Sequence, residues 1–219
     1  MENNVSEPVK LVIIGDSISD CGRMRPVGEG HIDALGDGYV RMLDAAVKVE
    51  HPEWHLHLVN MGIGGDTSRD LVARWQTDLL ALAPKYALIQ IGINDVWRHF
   101  DRPLQPELHV SLTEYRSNLD TMIDSAAAAG CSVILCSPFF LEPNREDPMR
   151  AMADQYRAEM ERCAQAHGLP YIDLQTPFDA LAAHYYSCCM SADRVHPNTM
   201  GQYVITRAIK KAFETVFGA

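Results

Sequence analysis

What this sequence lacks narrows the problem first. No apolar run approaches the roughly 20 residues that a helix needs to cross a bilayer. The N-terminal stretch MENNVSEPVK has neither a basic cluster nor an apolar core, which reads against an export signal and for a cytoplasmic protein. There is no basic stripe: 29 acidic residues stand against 19 basic ones, for a formal net charge of −10. Such a surface excludes nucleic acid and anionic membrane as natural partners. Charge blocks, low-complexity tracts, fixed-period repeats and linker-like gaps are all missing, so residues 1–219 read as one domain. The six cysteines (Cys21, Cys131, Cys136, Cys163, Cys188 and Cys189) form no Cys-x-x-Cys, and in a chain of this size without an export signal they are expected as free thiols.

What is present is a rhythm. LVII at residues 11–14 is a continuous aliphatic run that stops on Gly15, Asp16 and Ser17, as a strand buried on both faces of a parallel sheet does. HLHLVNMGIGGDTS (55–68), YALIQIGIND (86–95), CSVILCSP (131–138) and LPYIDLQ (169–175) repeat the pattern, giving five expected strands. Helical patterns lie between them. Asp66 is positioned to cap a helix carrying Leu71, Val72, Trp75 and Leu79 until Pro84. Ser111 with Glu114 has capping-box spacing ahead of Leu112, Tyr115, Leu119, Met122 and Ala126. Asp147-Pro148 opens a helix with Met149, Met152, Tyr156, Met160 and Cys163 inward, Thr176-Pro177 starts a shorter one, and the last, after Asn198, packs Tyr203, Val204, Ile209, Phe213 and Val216. Strands alternating with helices predict an α/β fold: a three-layer α/β/α sandwich around a flavodoxin-like five-stranded parallel sheet.

In such a fold the strands' carboxyl ends carry the chemistry. Three ends hold polar residues: Asp16-Ser17, Gly64-Gly65-Asp66 and Gly92-Ile93-Asn94-Asp95. A fourth segment, ADRVHPN (192–198), puts Asp193 three residues before His196. Acyl transfer needs this set. A serine hydroxyl requires a base, the base requires a carboxylate to fix its tautomer, and the tetrahedral oxyanion requires N–H donors. Ser17, His196 and Asp193 supply the first three. The backbone N–H groups of Ser17 and Gly65 and the amide of Asn94 are candidate donors.

Each piece also has an ordinary reading. Asp16 and Ser17 suit a helix cap, Gly64-Gly65 a tight turn, and Asn94-Asp95 a cap or Asx turn. Asp193 with His196 could be a metal pair, but no third ligand stands nearby in sequence, and no metal or cofactor is assigned. His55 and His57 read as solvent-facing residues of an edge strand, and Cys21 as a weak rival nucleophile.

Taken together and in order, the motifs resemble the SGNH hydrolases, the GDSL-like esterase and lipase family. Gly15-Asp16-Ser17 resembles its nucleophile motif, Gly65 its oxyanion glycine, Asn94 its oxyanion asparagine, and Asp193 with His196 its closing Asp-x-x-His. Ile93 departs from the commonest form, which has a second glycine there. GDSISDCGRMRPVGEG, LGDGYV, IGINDVWR and DPMRAMADQY are more narrowly similar to the intracellular acetylxylan esterases of that family. The resemblance implies a serine esterase that removes acetyl groups from xylo-oligosaccharides or related carbohydrates, and assembly into a homo-oligomer. A lysophospholipase or thioesterase is the alternative within the family, and a non-catalytic carbohydrate-binding protein the alternative outside it. Asp16, Arg23, Trp97 and Arg98 are candidate substrate contacts, Trp97 reading equally as the rim of a subunit contact.

Overall fold

Leu11, Val12, Ile13 and Ile14 are each 0% exposed, as a continuous aliphatic strand requires if both of its faces are covered. The computed structural model, which describes residues 7–30 and 33–218, places this strand, β1 (Val9–Gly15), inside a five-stranded parallel sheet. The other strands are β2 (Leu56–Gly62), β3 (Tyr86–Gln90), β4 (Ser132–Cys136) and β5 (Tyr171–Ile172), in the order β2-β1-β3-β4-β5. Residues 1–6 of the N-terminal stretch read against an export signal lie outside the described residues.

Helices fill the crossovers: α1 (Ser17–Asp20), α2 (Tyr39–Glu50), α3 (Ser68–Asp78), α4 (Ile93–Asp101), α5 (Leu112–Ala128), α6 (Pro148–His167), α7 (Gln175–Ala182) and α8 (Thr199–Phe217). α2 packs on α8 and α8 on α7, while α5 packs on both α3 and α6, giving a helical layer on each face of the sheet. Among the described residues no helix is long and apolar enough to cross a membrane.

Register decides where the chemistry collects. Gly15 at the end of β1 pairs with Gly62 at the end of β2 and with Gln90 at the end of β3, so three turns leave the sheet side by side. The chain runs from β1 outward to β2, then crosses back over β1 to β3. The β1/β3 boundary is therefore a topological switch point, where open α/β sheets leave a crevice.

The fold differs from the sequence reading at several ends. Thr67, not Asp66, caps α3: Thr67 and Asp70 bond each other's backbone N–H reciprocally, and the Asp66 carboxylate is held instead by Arg74 at 2.7 Å. β5 is two residues long because Pro170 precedes it and Asp173 turns to accept from the Gln175 N–H at 2.9 Å, starting α7 one residue before Thr176. Tyr203 faces outward. His55 lies outside β2, in left-handed backbone. α2, which the strand-and-cap pattern did not single out, buries Tyr39, Val40, Leu43 and Val47. Cys131, Cys136 and Cys163 are buried and all six cysteines are free.

Candidate active site

Ser17 stands at the first position of α1, directly after β1, with Asp16 as the cap accepting from the Ile18 N–H at 2.9 Å. His196 comes from the loop ahead of α8, 179 residues away, and its Nε2 lies 2.8 Å from Ser17 Oγ. Its other ring nitrogen, Nδ1, lies 2.6 Å from Asp193 Oδ2. Asp193 is itself fixed, since its Oδ1 accepts from the backbone N–H of His196 (2.8 Å) and Val195 (3.0 Å) and from the Ser191 hydroxyl (3.0 Å). Partial burial alone would raise this carboxyl, but the His196 side chain and these donors more than offset it and hold it well below the usual range. The carboxylate therefore stays charged, and it fixes both the orientation of the imidazole and the nitrogen that carries the proton.

The donors gather opposite. Among the described residues, neither the Ser17 nor the Gly65 N–H meets an acceptor. Gly65 has φ +89°, a left-handed conformation that turns the loop after β2 across the sheet edge, and a Cβ built there would meet nothing within 4 Å. Backbone conformation, more than crowding by the protein, explains the glycine. The Gly64 N–H donates to Asp20 Oδ2 at 2.9 Å, which ties this loop to the helix carrying Ser17. Asn94 is in the first turn of α4, 1% exposed. One N–H of its amide donates to the Asp66 carbonyl at 3.0 Å, and its Oδ1 accepts from Arg98 Nη2 at 3.0 Å. Both contacts fix which way the amide points, leaving the second N–H for the crevice. Ile93 is fully buried, so the departure from the commoner glycine is a core contact.

Asp95, beside Asn94, is read from the sequence only as part of a cap or Asx turn, yet it joins two of these loops. Its carboxylate, 0% exposed, accepts from the Ser68 N–H at 3.0 Å and the Ser68 hydroxyl at 2.5 Å, locking the start of α3 to the start of α4. Burial raises Asp95 to about 6 and Asp16 to about 7, Asp16 being 0% exposed with one oxygen unpartnered. The apolar, buried location of a carboxylate next to a nucleophile is not readable from the motif alone.

The four expected substrate contacts separate into two pairs. Asp16 and Arg23 are structural. Asp16 is the buried cap just described, and Arg23, 4% exposed, donates to the carbonyls of Gly62 (2.7 Å), Met24 (3.0 Å) and Pro26 (2.7 Å). Ser19 is likewise buried, against the Tyr39 hydroxyl. Trp97 and Arg98 do lie at the crevice. The Trp97 ring sits 5.7 Å from that of His196, and Arg98 lies over Trp97, bonded to Asn94 and Asp101. Helix α4 divides two hollows. One, of about 330 Å³, is lined by Trp97, Phe100, Asp101, Asp147, Met149 and Arg194. The other, of about 430 Å³, is lined by Gly65, Thr67, Arg69, Asp70, Arg98 and Arg102. Cys21 Sγ is turned toward the Ile18 carbonyl, and burial pushes its thiol up to about 11, the wrong direction for a nucleophile.

Known proteins resemble this chain. Residues 13–204 match the model of the GDSL-like lipase/acylhydrolase family. The chain is 42% identical over 199 residues to an acetylxylan esterase of Geobacillus stearothermophilus, covering 91% of each sequence. A solved structure of a variant of Axe2, an acetyl xylan esterase from that organism, superposes with a TM-score of 0.91 at 41% identity over 93% of both chains. LAE5, an alpha/beta hydrolase from a Lake Arreo metagenome, is 47% identical with a TM-score of 0.90, covering 93% of this chain and 94% of its own. A serine turn, a glycine turn, an asparagine helix start and an Asp-x-x-His loop converge on one sheet edge in a chain whose likeness to these proteins runs nearly end to end: it belongs to the GDSL-like lipase/acylhydrolase family.

Proposed function

We propose that this protein is a serine esterase that removes acetyl groups from xylo-oligosaccharides or closely related carbohydrates. The observation that carries the reading is the unbroken chain Ser17 Oγ, His196 Nε2, His196 Nδ1, Asp193 Oδ2, at 2.8 and 2.6 Å. The Ser17 hydroxyl donates to Nε2, gives up its proton as Oγ attacks the acetyl carbonyl carbon, and the imidazolium is stabilised by Asp193. Negative charge then builds on the carbonyl oxygen, met by the N–H groups of Ser17 and Gly65 and by the Asn94 amide. Collapse breaks the bond to the sugar oxygen, which takes the proton from His196. A water, deprotonated by the same nitrogen, then attacks the acetyl-Ser17 ester; collapse breaks the bond to Oγ, which takes the proton back from His196 as acetate leaves. Arg98 acts through Asn94: by donating to Oδ1 it keeps the amide nitrogen, not its oxygen, toward the reacting carbonyl.

Relatives support these roles. Axe2 has been solved as catalytic mutants replacing a serine, an aspartate and a histidine that follow one another at the spacing of Ser17, Asp193 and His196. The hollow beside His196 supports the choice of leaving group, since Trp97 and Phe100 offer flat apolar faces while Asp101, Asp147 and Arg194 offer hydrogen bonds around them. A fatty acyl tail needs a long apolar groove, since each methylene left in water forgoes about 0.8 kcal/mol, whereas an acetyl group does not. Free thiols fit a reducing, cytoplasmic compartment. Self-association is part of the same reading, and sedimentation velocity measures it.

The deciding experiment pairs a p-nitrophenyl ester series with acetylated xylo-oligosaccharides. kcat/KM is expected to fall from acetate to octanoate, acetate to be released from the oligosaccharides, and Ser17→Ala to lose essentially all turnover while remaining folded. Preference for octanoate with no acetate released from sugars would move the substrate to lysophospholipids or thioesters. Turnover by Ser17→Ala within a few-fold of the parent would remove the mechanism.

A further inference from the structure

Outside the crevice, where α5 packs on α6, three side chains of metal-binding type converge. Cys163 and His167 are four residues apart on α6 and so share one face of the helix. Asp120 meets them from α5, its Oδ1 2.8 Å from His167 Nε2 and 3.4 Å from Cys163 Sγ. One ligand atom from each lies within 4.8 Å of the other two. We propose that this cluster is a binding site for a thiophilic divalent cation of the zinc class, clamping α5 to α6.

The geometry is close to what such an ion requires. Tetrahedral zinc holds sulfur at about 2.3 Å and nitrogen or oxygen at about 2.0–2.1 Å, which puts ligand atoms roughly 3.3–3.5 Å apart. The Sγ to Oδ1 separation already matches, Nε2 must move about 0.5 Å from Oδ1, and Sγ and Nε2, which lie within 4.8 Å of each other, must settle at roughly 3.5 Å to hold the ion. One outer partner is also in place: Arg116 Nε donates to Asp120 Oδ2 at 2.8 Å, orienting the carboxylate. His167 Nε2 already faces Asp120 Oδ1, and Nδ1 points away toward Asp124 Oδ1, 3.9 Å off and beyond hydrogen-bond reach. Arg116 also reaches Asp120 Oδ1 at 3.0 Å and must release that oxygen, but a second carboxylate, Glu159, holds its Nη1 at 3.3 Å. Cys163 is buried whereas Asp120 and His167 reach solvent, so a water can complete the fourth position. On binding, the Sγ–metal bond replaces the S–H bond and the proton leaves to solvent.

Cobalt(II) and zinc(II), each added alone to the intact metal-free enzyme, test this. Cobalt is expected to produce a thiolate-to-metal charge-transfer absorption with one equivalent bound, and zinc to displace it and raise the Tm by several degrees. Cys163→Ser should abolish the absorption. His167→Gln, at a half-exposed position that does not threaten folding, should weaken affinity at least tenfold. Exposed Cys188 and Cys189 are the competing thiols, so the double variant Cys188→Ser, Cys189→Ser must keep the absorption. Loss of the absorption in that double variant, its persistence in Cys163→Ser, no saturable binding to the intact protein, or unchanged affinity in His167→Gln would overturn the site.

Discussion

Asn94 and Arg98 show how much one side chain depends on the next. The asparagine amide is useful to an oxyanion only if its nitrogen faces the crevice, and the Asp66 carbonyl and the Arg98 guanidinium together exclude the flipped orientation. Asn94→Ala is expected to lower kcat by about a hundred- to a thousand-fold with a much smaller change in KM. Arg98→Met should cost less, roughly tenfold in kcat. It should cost nothing further in the Asn94→Ala background, because a positioning residue has no effect once the group it positions is gone. Steady-state kinetics of the two single variants and the double variant measure this, and additive losses would make Arg98 a direct substrate contact. At this scale the motifs were legible: Ser17, Gly65, Asn94, Asp193 and His196 converge in space. Direction and burial were not. Arg23 follows the nucleophile turn as a surface arginine would, yet three carbonyls draw it inward. Asp20 and Asp95 brace the site from positions that carry no spacing signal.

At the scale of elements, the turn between β2 and α3 couples stability to geometry. Thr67 and Asp70 close a reciprocal cap, and one further residue on, Ser68 is held by Asp95. Thr67→Ala should destabilise the protein by about 1 kcal/mol, read from denaturant unfolding at constant m-value. Asp66→Ala should leave the cap intact and loosen only the Arg74 contact. Equal losses from both would return the cap to Asp66. Three helix starts that rest on a side-chain cap were readable, at Ser111, Asp147 and Asn198, and a fourth, at Thr67, was missed by one residue. Two without such a cap were not readable. α2 begins at Gly38 with no side-chain bond, and α4 begins at Gly92, whose φ of +129° and contact with Tyr115 are set by packing across the molecule. Sequence spacing reports local hydrogen bonds, whereas these two boundaries are tertiary.

Across the whole molecule, the buried carboxyls beneath the crevice set a pH dependence of stability. Folding raises Asp16 from 3.8 to about 7 and Asp95 from 3.8 to about 6, so the folded state binds more protons than the unfolded chain across that window. Their favourable contribution is complete below about pH 4 and is lost as the pH rises through the folded values. Asp193 runs the other way, contributing above its unfolded value and losing that contribution in strong acid. Asp16→Asn keeps the bond from the Ile18 N–H but removes one titration, and it should shrink the Tm difference between pH 5 and pH 8 by on the order of 5 °C. Scanning calorimetry at the two pH values checks it, and an unchanged difference would mean that Asp16 is equally ionised in both states. The separation of 179 residues between Ser17 and His196 has a consequence of its own. On the proposed mechanism the nucleophile, Ser17, follows β1 and its base, His196, lies in the loop ahead of α8, so a ribosome makes one long before the other. A chain that stops before His196 is then chemically silent, and two fragments cut between these points regain activity only by finding each other.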